Sequence, residues 1–115
     1  MAMRRLIEIA YARSGDKGAN ANVGVIARGP AAYDLLCEVL TADRVRDFFR
    51  ETGVVDVVRY EMPNLAALNF VMHGVLGQGG SQSLRIDAQG KALGQQLLEM
   101  ELDIPDDLLS SVDNG

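Results

Sequence analysis

The sequence has very little of the two residue types that most often form disulfides or hold metals. Of its 115 residues, one is a cysteine, Cys37, and one is a histidine, His73. A single cysteine excludes an internal disulfide and fits a reducing compartment. The two residues together fall short of the ligand set of a structural zinc site. We therefore expect a chain that folds without a disulfide, a metal or a cofactor.

Basic charge and long apolar segments are also scarce. The chain has 11 basic residues against 16 acidic ones, a formal net charge of −5. A surface for nucleic acid or for an anionic membrane needs a basic field, so we expect neither partner. No apolar run approaches the roughly 18 residues of a membrane span, and the first residues do not have the pattern of a secretory signal. We expect a cytoplasmic location.

The rest of the composition is that of an ordinary globular domain, with 48% apolar and 23% charged residues. A chain of this length can bury roughly two thirds of its unfolded surface, and it has no room for a second domain. We predict a single domain over residues 1–105. An acidic, flexible tail is expected over 106–115.

The apolar pattern changes along the chain between strand and helix spacing. Pro30 predicts the start of one helix, Thr41 the N-cap of a second, and a third is expected over about 89–100. Alternating or β-branched runs predict strands over residues 4–11, 22–27, 54–60, 69–75, 81–86 and 102–104. The strand over 54–60 is expected to be central. Strands and helices do not alternate regularly, which predicts an α+β fold: an antiparallel or mixed sheet with helices on one face.

The most polar stretch lies between the first two predicted strands. Residues 12–22 read Ala-Arg-Ser-Gly-Asp-Lys-Gly-Ala-Asn-Ala-Asn, which is longer than the about two to five residues of most hairpin loops. Its two glycines would let consecutive N–H groups turn inward around an anion, with charge supplied by Arg13 and Lys17. The alternative is a tight turn in which Asp16 accepts backbone hydrogen bonds. The match to a nucleotide P-loop is poor.

Other polar residues are also candidates for a site. Asn20 and Asn22 would point the same way in an extended segment and could orient a ligand, or they could satisfy a loop. His73 could act as a general base, or it could be half-buried and bonded to the backbone. The sequence identifies no partner for His73, so no nucleophilic triad is predicted. The glycines of 77–81 could form a second cradle or a flexible turn.

Several of these residues together resemble a known family. The similarity is carried by the run over 12–18, the segment over 20–28, Leu68-Asn69-Phe70-Val71, and Gly79-Gly80 with Ser83-Leu84. The chain is similar to the ferredoxin-fold domain of the acyclic terpene utilisation (AtuA-like) family over roughly residues 5–98. The resemblance implies a ferredoxin-like α+β sandwich. It also implies a role in bacterial catabolism of terpenoid or branched acyl-CoA-type compounds. The family's domain occurs in larger proteins or as a small separate chain, so a larger AtuA-like protein is the implied partner.

We therefore expect a small accessory subunit or binding domain for an anionic or acyl-CoA-type ligand. The predicted ligand-binding residues are Arg13, Ser14, Gly15, Asp16, Lys17, Gly18, Asn20, Asn22, Asn69, Gly79 and Gly80. One alternative is a stand-alone lyase or hydratase acting on an acyl thioester, with His73 or Asp16 as acid or base. Another is a structural oligomerising domain, and a homo-oligomer is expected in every case.

Overall fold

The computed structural model describes residues 3–17, 20–74 and 93–113, which form six strands and four α-helices. The strands are β1 (Met3–Arg5), β2 (Ala10–Lys17), β3 (Asn20–Ala27), β4 (Asp56–Met62), β5 (Ala67–His73) and β6 (Glu101–Asp103). The helices are α1 (Pro30–Val39), α2 (Ala42–Phe48), α3 (Leu93–Leu97) and α4 (Asp106–Asp113). Single 3-10 turns lie at Leu6–Glu8, Arg50–Thr52 and Pro63–Leu65. The predicted α+β class is confirmed.

Four strands form the main antiparallel sheet, in the order β2, β3, β5, β4. The strands β2 and β3 make a hairpin, β5 pairs with the other side of β3, and β4 pairs with β5. Within the described residues β4 therefore lies at the end of the sheet, and the prediction that this strand is central was wrong. The 3-10 turn at Pro63–Leu65 makes β4 and β5 antiparallel neighbours, and β5 is the one of the two that pairs with β3.

The core lies on one face of this sheet. Val23, Val25, Leu68, Phe70 and Met72 are fully buried on alternate positions of β3 and β5. The helix α1 contacts β3, α2 contacts β4, and α3 contacts β2 and β3. Burial on alternate residues is typical of an antiparallel sheet that is covered on one face. On the opposite face, Asn22, Gly24, Asn69 and Val71 are half-buried within the described part of the chain.

The first predicted strand, over 4–11, is divided in the structure. β1 ends at Arg5 and pairs with β6, which confirms the predicted short strand near residue 102. The turn that follows sends Leu6 and Ile9 into the core and leaves Ile7 44% exposed. The backbone N–H of Leu6 donates to the carbonyl of Met100 at 2.8 Å, and that of Ile7 donates to Leu98 at 3.0 Å. These long-range hydrogen bonds break an alternation that looks continuous in the sequence.

The predicted helix starts are confirmed. Pro30 occupies the first turn of α1, and the side chain of Thr41 caps α2 by accepting a hydrogen bond from the backbone N–H of Arg44 at 3.1 Å. The third helix was predicted over about 89–100, and α3 lies within that range. A Cβ placed on Gly94 would lie 3.3 Å from the Cβ of Ala12. Glycine at this position therefore lets α3 approach β2 closely.

The predicted acidic tail begins with α4, and Leu108 and Leu109 of that helix pack against the core. Arg4 forms an ion pair with Asp106 at 2.6 Å. None of the helices in the described ranges has the length and apolar character needed to cross a membrane. The predicted strand over 81–86 and the glycines of 77–81 lie outside the described residues.

Candidate functional site

The sheet face opposite the helices carries most of the predicted site residues that the structure describes. Because Val23 and Val25 point into the core, the alternate positions Asn22 and Gly24 face away from it. The same alternation applies along the other three strands. We call this surface the open face and define it by the residues Tyr11, Arg13, Gly15, Asn20, Asn22, Gly24, Ile26, Asp56, Val58, Tyr60, Met62, Ala67, Asn69, Val71 and His73.

Strand register arranges the open face into cross-strand rows. A row consists of residues that are paired directly on neighbouring strands, in the order β2, β3, β5, β4. Three rows concern the site: Arg13-Gly24-Asn69-Tyr60, then Gly15-Asn22-Val71-Val58, then Asn20-His73-Asp56. Two of these rows contain a glycine on β2 or β3, which leaves space between their larger side chains.

Two asparagines are joined at the centre of the open face. The Nδ2 of Asn22 donates to the Oδ1 of Asn69 at 3.3 Å, and the pair is half-buried. A Cβ on Gly15 would lie 3.2 Å from the Oδ1 of Asn22, and one on Gly24 would lie 3.8 Å from the Oδ1 of Asn69. No group in the described parts of the chain accepts a hydrogen bond from the Nδ2 of Asn69. The amide of Asn69 is therefore a candidate hydrogen-bond donor on this face.

A depression of about 310 Å³ lies beside this pair of amides. It is lined by Asn20, Ala21, Asn22, Asn69 and Val71. Its volume is at the lower end of the range of about 300–1,000 Å³ that is usual for small-molecule sites. The structure thus brings together the three asparagines that were predicted as ligand-binding residues.

The next row holds an acid–histidine pair that the sequence did not reveal. The Nδ1 of His73 lies 2.7 Å from the Oδ1 of Asp56, and the side chains are 43% and 53% exposed. An ionised carboxylate can only accept a hydrogen bond, so Nδ1 carries the proton of this contact, and in the neutral ring the lone pair is then on Nε2. Seventeen residues separate the two in the chain. Only the register of β4 with β5 places them opposite each other.

The predicted oversized loop over 12–22 was wrong. Residues 10–17 form β2, residues 20–27 form β3, and their pairing continues as far as Lys17 with Asn20. Just two residues connect the strands. Successive N–H groups of a strand point in opposite directions, so 13–17 cannot form the predicted concavity of consecutive N–H groups. The stretch is polar because one face of this hairpin is open.

The other predicted site residues have different positions. Arg13 and Gly15 are on the open face, but Ser14 has the opposite orientation and shares the face of Ala12, towards the helices. The side chains of Asp16 and Lys17, together with Gly18, Gly79 and Gly80, are outside the described part of the structure. The described site therefore consists of the asparagines, Arg13, the two glycines, and the pair formed by Asp56 and His73.

A second polar cluster lies on the helix side of the sheet, around Arg59. The Nη1 of Arg59 donates to the carbonyls of Cys37 and Leu40 at 2.9 and 3.1 Å, and its Nη2 pairs with Glu61 at 2.8 Å. Partial burial raises the pKa of Tyr33, and a hydrogen bond with Cys37 raises it further. These groups bond mainly to one another and to the end of α1. Their arrangement is that of a structural cluster.

The residues described here do not provide a metal centre. Within the described ranges, no group of three or more histidine, cysteine, aspartate or glutamate side chains is placed to hold an ion. The described polar side chains of the open face are the three asparagine amides, the guanidinium of Arg13, the hydroxyls of Tyr11 and Tyr60, and the imidazole of His73 with its carboxylate partner.

Comparison with known proteins gives one result. A family model described as the AtuA ferredoxin-like domain matches residues 4–103. Neither the curated proteins nor the solved structures include a match to the chain. The match to the family confirms the resemblance seen in the sequence and covers the whole of the open face.

Proposed function

The chain belongs to the AtuA ferredoxin-like domain family, and from this premise we propose that it is an accessory, ligand-binding domain of a larger assembly. The open face is its working surface. The ligand is a small anionic or acyl-CoA-type compound, and the partner is a larger AtuA-like protein. The setting we propose is the catabolism of terpenoid or branched acyl-CoA-type compounds.

The observation that carries this proposal is the amide pair beside the depression. The bond from Asn22 fixes the amide of Asn69, so that its N–H groups are held ready for a ligand oxygen. Arg13 lies across Gly24 from Asn69 in the same row. In a chain of net charge −5, a local cation of this kind is needed to attract an anion. A carbonyl or carboxylate oxygen suits donors of both types.

The size of the depression limits which part of the ligand it holds. A volume of about 310 Å³ accommodates a short acyl chain with its carbonyl group. Val71 in its wall supplies an apolar contact for the acyl carbons. The nucleotide part of an acyl-CoA would extend over the rest of the open face or onto the partner.

Large exposed side chains on the open face support a protein partner. Tyr11 and Tyr60 are 52% and 54% exposed, and Met62 is 39% exposed. Tyrosine and methionine are enriched in protein interfaces, where they contribute large apolar contacts. We also propose self-association, because β4 ends the main sheet within the described residues and an end strand can pair with a second copy.

The partner is tested by purifying the tagged protein from its own cells and measuring intact complexes by mass spectrometry. We expect a stoichiometric AtuA-like protein in the complex. Tyr60→Asp should reduce its recovery by at least about 10-fold, since it places a charge in a contact that excludes water. Ile7→Asp is the control, because Ile7 is exposed but lies off the open face. Self-complexes alone, or equal recovery with both variants, would contradict the partner.

The ligand is tested by calorimetric titration with isovaleryl-CoA. Asn69→Ala removes the amide donors, and we expect a loss of about 1–3 kcal/mol, roughly a 5- to 150-fold higher Kd. Asn64→Ala is the matched control, since Asn64 is an exposed asparagine in the 3-10 turn before β5. An unchanged Kd in Asn69→Ala would show that the amide pair does not hold the ligand.

A further inference from the structure

The imidazole of His73 lies on the same face as the amide pair, next to the depression. Asn20 is paired with His73 across the strands, and Val71 precedes it by two residues on β5. Both of these neighbours line the depression. Residues two apart on a strand are separated by roughly 7 Å and point to the same side. An acyl group in the depression would therefore have the imidazole at its edge.

The contact with Asp56 prepares this imidazole to accept a proton. The Oδ1 of Asp56 accepts a hydrogen bond from Nδ1–H, with 2.7 Å between the two heavy atoms, which favours this tautomer and orients the ring. In the described residues no group forms a hydrogen bond with Nε2. The lone pair of Nε2 is therefore available to a ligand, and the carboxylate would stabilise the imidazolium that forms when it takes up a proton.

We propose that Asp56 and His73 form an acid–base pair that removes and returns the α-proton of a carbonyl ligand, such as an acyl thioester, bound in the depression. This inference rests on the proposed function, since it uses the same ligand site. His73 is the catalytic base. Asp56 is a positioning residue, because it acts on the ligand only through His73.

The step balances without any further reactant. The C–H bond α to the carbonyl breaks and its proton forms an N–H bond at Nε2. The electron pair of that bond forms the carbon–carbon double bond of an enolate, and the carbonyl π electrons move onto the oxygen. Of the described amides that line the depression, that of Asn20 is paired directly with His73 and would stabilise this oxyanion. Asn69 and Arg13 lie two rows away and would hold a different oxygen of the ligand. Return of the proton from Nε2 to carbon restores the ligand, with no oxidation or reduction.

This step is measurable as isotope exchange. The purified protein, together with any partner that co-purifies, is incubated with isovaleryl-CoA in D₂O, and deuterium at the α-carbon is followed by NMR. The imidazolium exchanges its proton with solvent, so deuterium should enter the ligand faster than in buffer alone. His73→Gln should lower the enzymatic rate by at least about 100-fold, the usual contribution of a general base.

The test of Asp56 must distinguish an effect on the orientation of His73 from an effect on the stability of the fold. Asp56→Asn should lower the exchange rate by at least about 10-fold, and Asp56→Glu should restore part of it, while urea unfolding of the two variants stays similar. Asp43→Asn is the matched control, since Asp43 is an exposed acid on α2. A structural role would predict equal exchange rates in Asp56→Asn and Asp43→Asn.

Binding measured in the same samples separates this inference from the proposed function. If isovaleryl-CoA binds the open face but its α-carbon gains deuterium no faster than in buffer, the acid–base role is overturned and the binding role stands. Exchange that survives in His73→Gln also overturns it. Absence of both binding and exchange overturns both proposals.

Discussion

Gly24→Ala is the substitution that separates folding from ligand binding most clearly. The Cβ added at residue 24 would lie 3.8 Å from the Oδ1 of Asn69 and 4.0 Å from the carbonyl oxygen of Arg13. Both distances are ordinary van der Waals contacts, and the backbone of Gly24 is not in the left-handed region. The fold should therefore accept alanine. Because glycine in a strand costs roughly 0.5–1 kcal/mol relative to alanine, we expect the free energy of unfolding to rise by about that amount.

The same methyl group should weaken binding. It stands between Arg13 and Asn69, where the proposed ligand oxygen meets its donors. An extra methyl in a well-filled site costs about 1–3 kcal/mol, which corresponds to a Kd higher by roughly 5- to 150-fold. Urea unfolding and calorimetric titration with isovaleryl-CoA on the same preparation measure the two effects.

The predictions for Gly24→Ala on ligand binding and on stability are refuted by different results. Equal Kd values for the variant and the parent would show that the ligand does not occupy the row between Arg13 and Asn69. A loss of stability would contradict the strand geometry of β3. Gly15→Ala provides a comparison, because its Cβ would lie only 3.2 Å from the Oδ1 of Asn22. It should disturb the amide pair without filling the space beside Arg13.

Three further predictions concern the scaffold that positions the site, and urea unfolding measures each of them. Gly94→Ala should lower the free energy of unfolding by about 1–3 kcal/mol, since its Cβ would meet β2 at 3.3 Å in the buried contact with α3; unchanged stability would refute that close approach. Thr41→Ala removes the acceptor that caps α2 and should cost about 1 kcal/mol, whereas no loss would show that the cap is not formed. Arg59→Met leaves two carbonyls at the end of α1 without their donor and should cost about 1–3 kcal/mol; a neutral result would mean that water replaces the guanidinium.

Local sequence signals predicted the elements that depend on neighbours in the chain. Pro30 and Thr41 marked helix starts because the backbone requirements of a first turn are met by residues at fixed, short spacings. The alternation of Val23 and Val25 with Asn22 and Gly24 marked a half-buried strand. The run over 12–18, together with the segments near residues 20–28, 68–71 and 79–84, indicated the family that the match confirms.

The site itself depends on register, which a single sequence does not display. Asn22 and Asn69 are 47 residues apart, and Asp56 and His73 are 17 apart. Each pair meets only because β3, β5 and β4 lie side by side in one alignment. The loop prediction failed for a related reason: the polar residues of β2 and β3 face an open surface, and a strand exposed on one side has the composition of a loop. The three predicted asparagines do lie together, but they are on two paired strands and not around a long loop.

The most direct test of the open face as the ligand site is an amide NMR titration of ¹⁵N-labelled protein with isovaleryl-CoA. The account predicts that shifts concentrate at Asn20–Gly24 and Asn69–His73, the strand segments beside the depression, and that Asn69→Ala removes them at equal ligand concentration. Shifts concentrated on α1 and α2, or none at millimolar ligand, would contradict it.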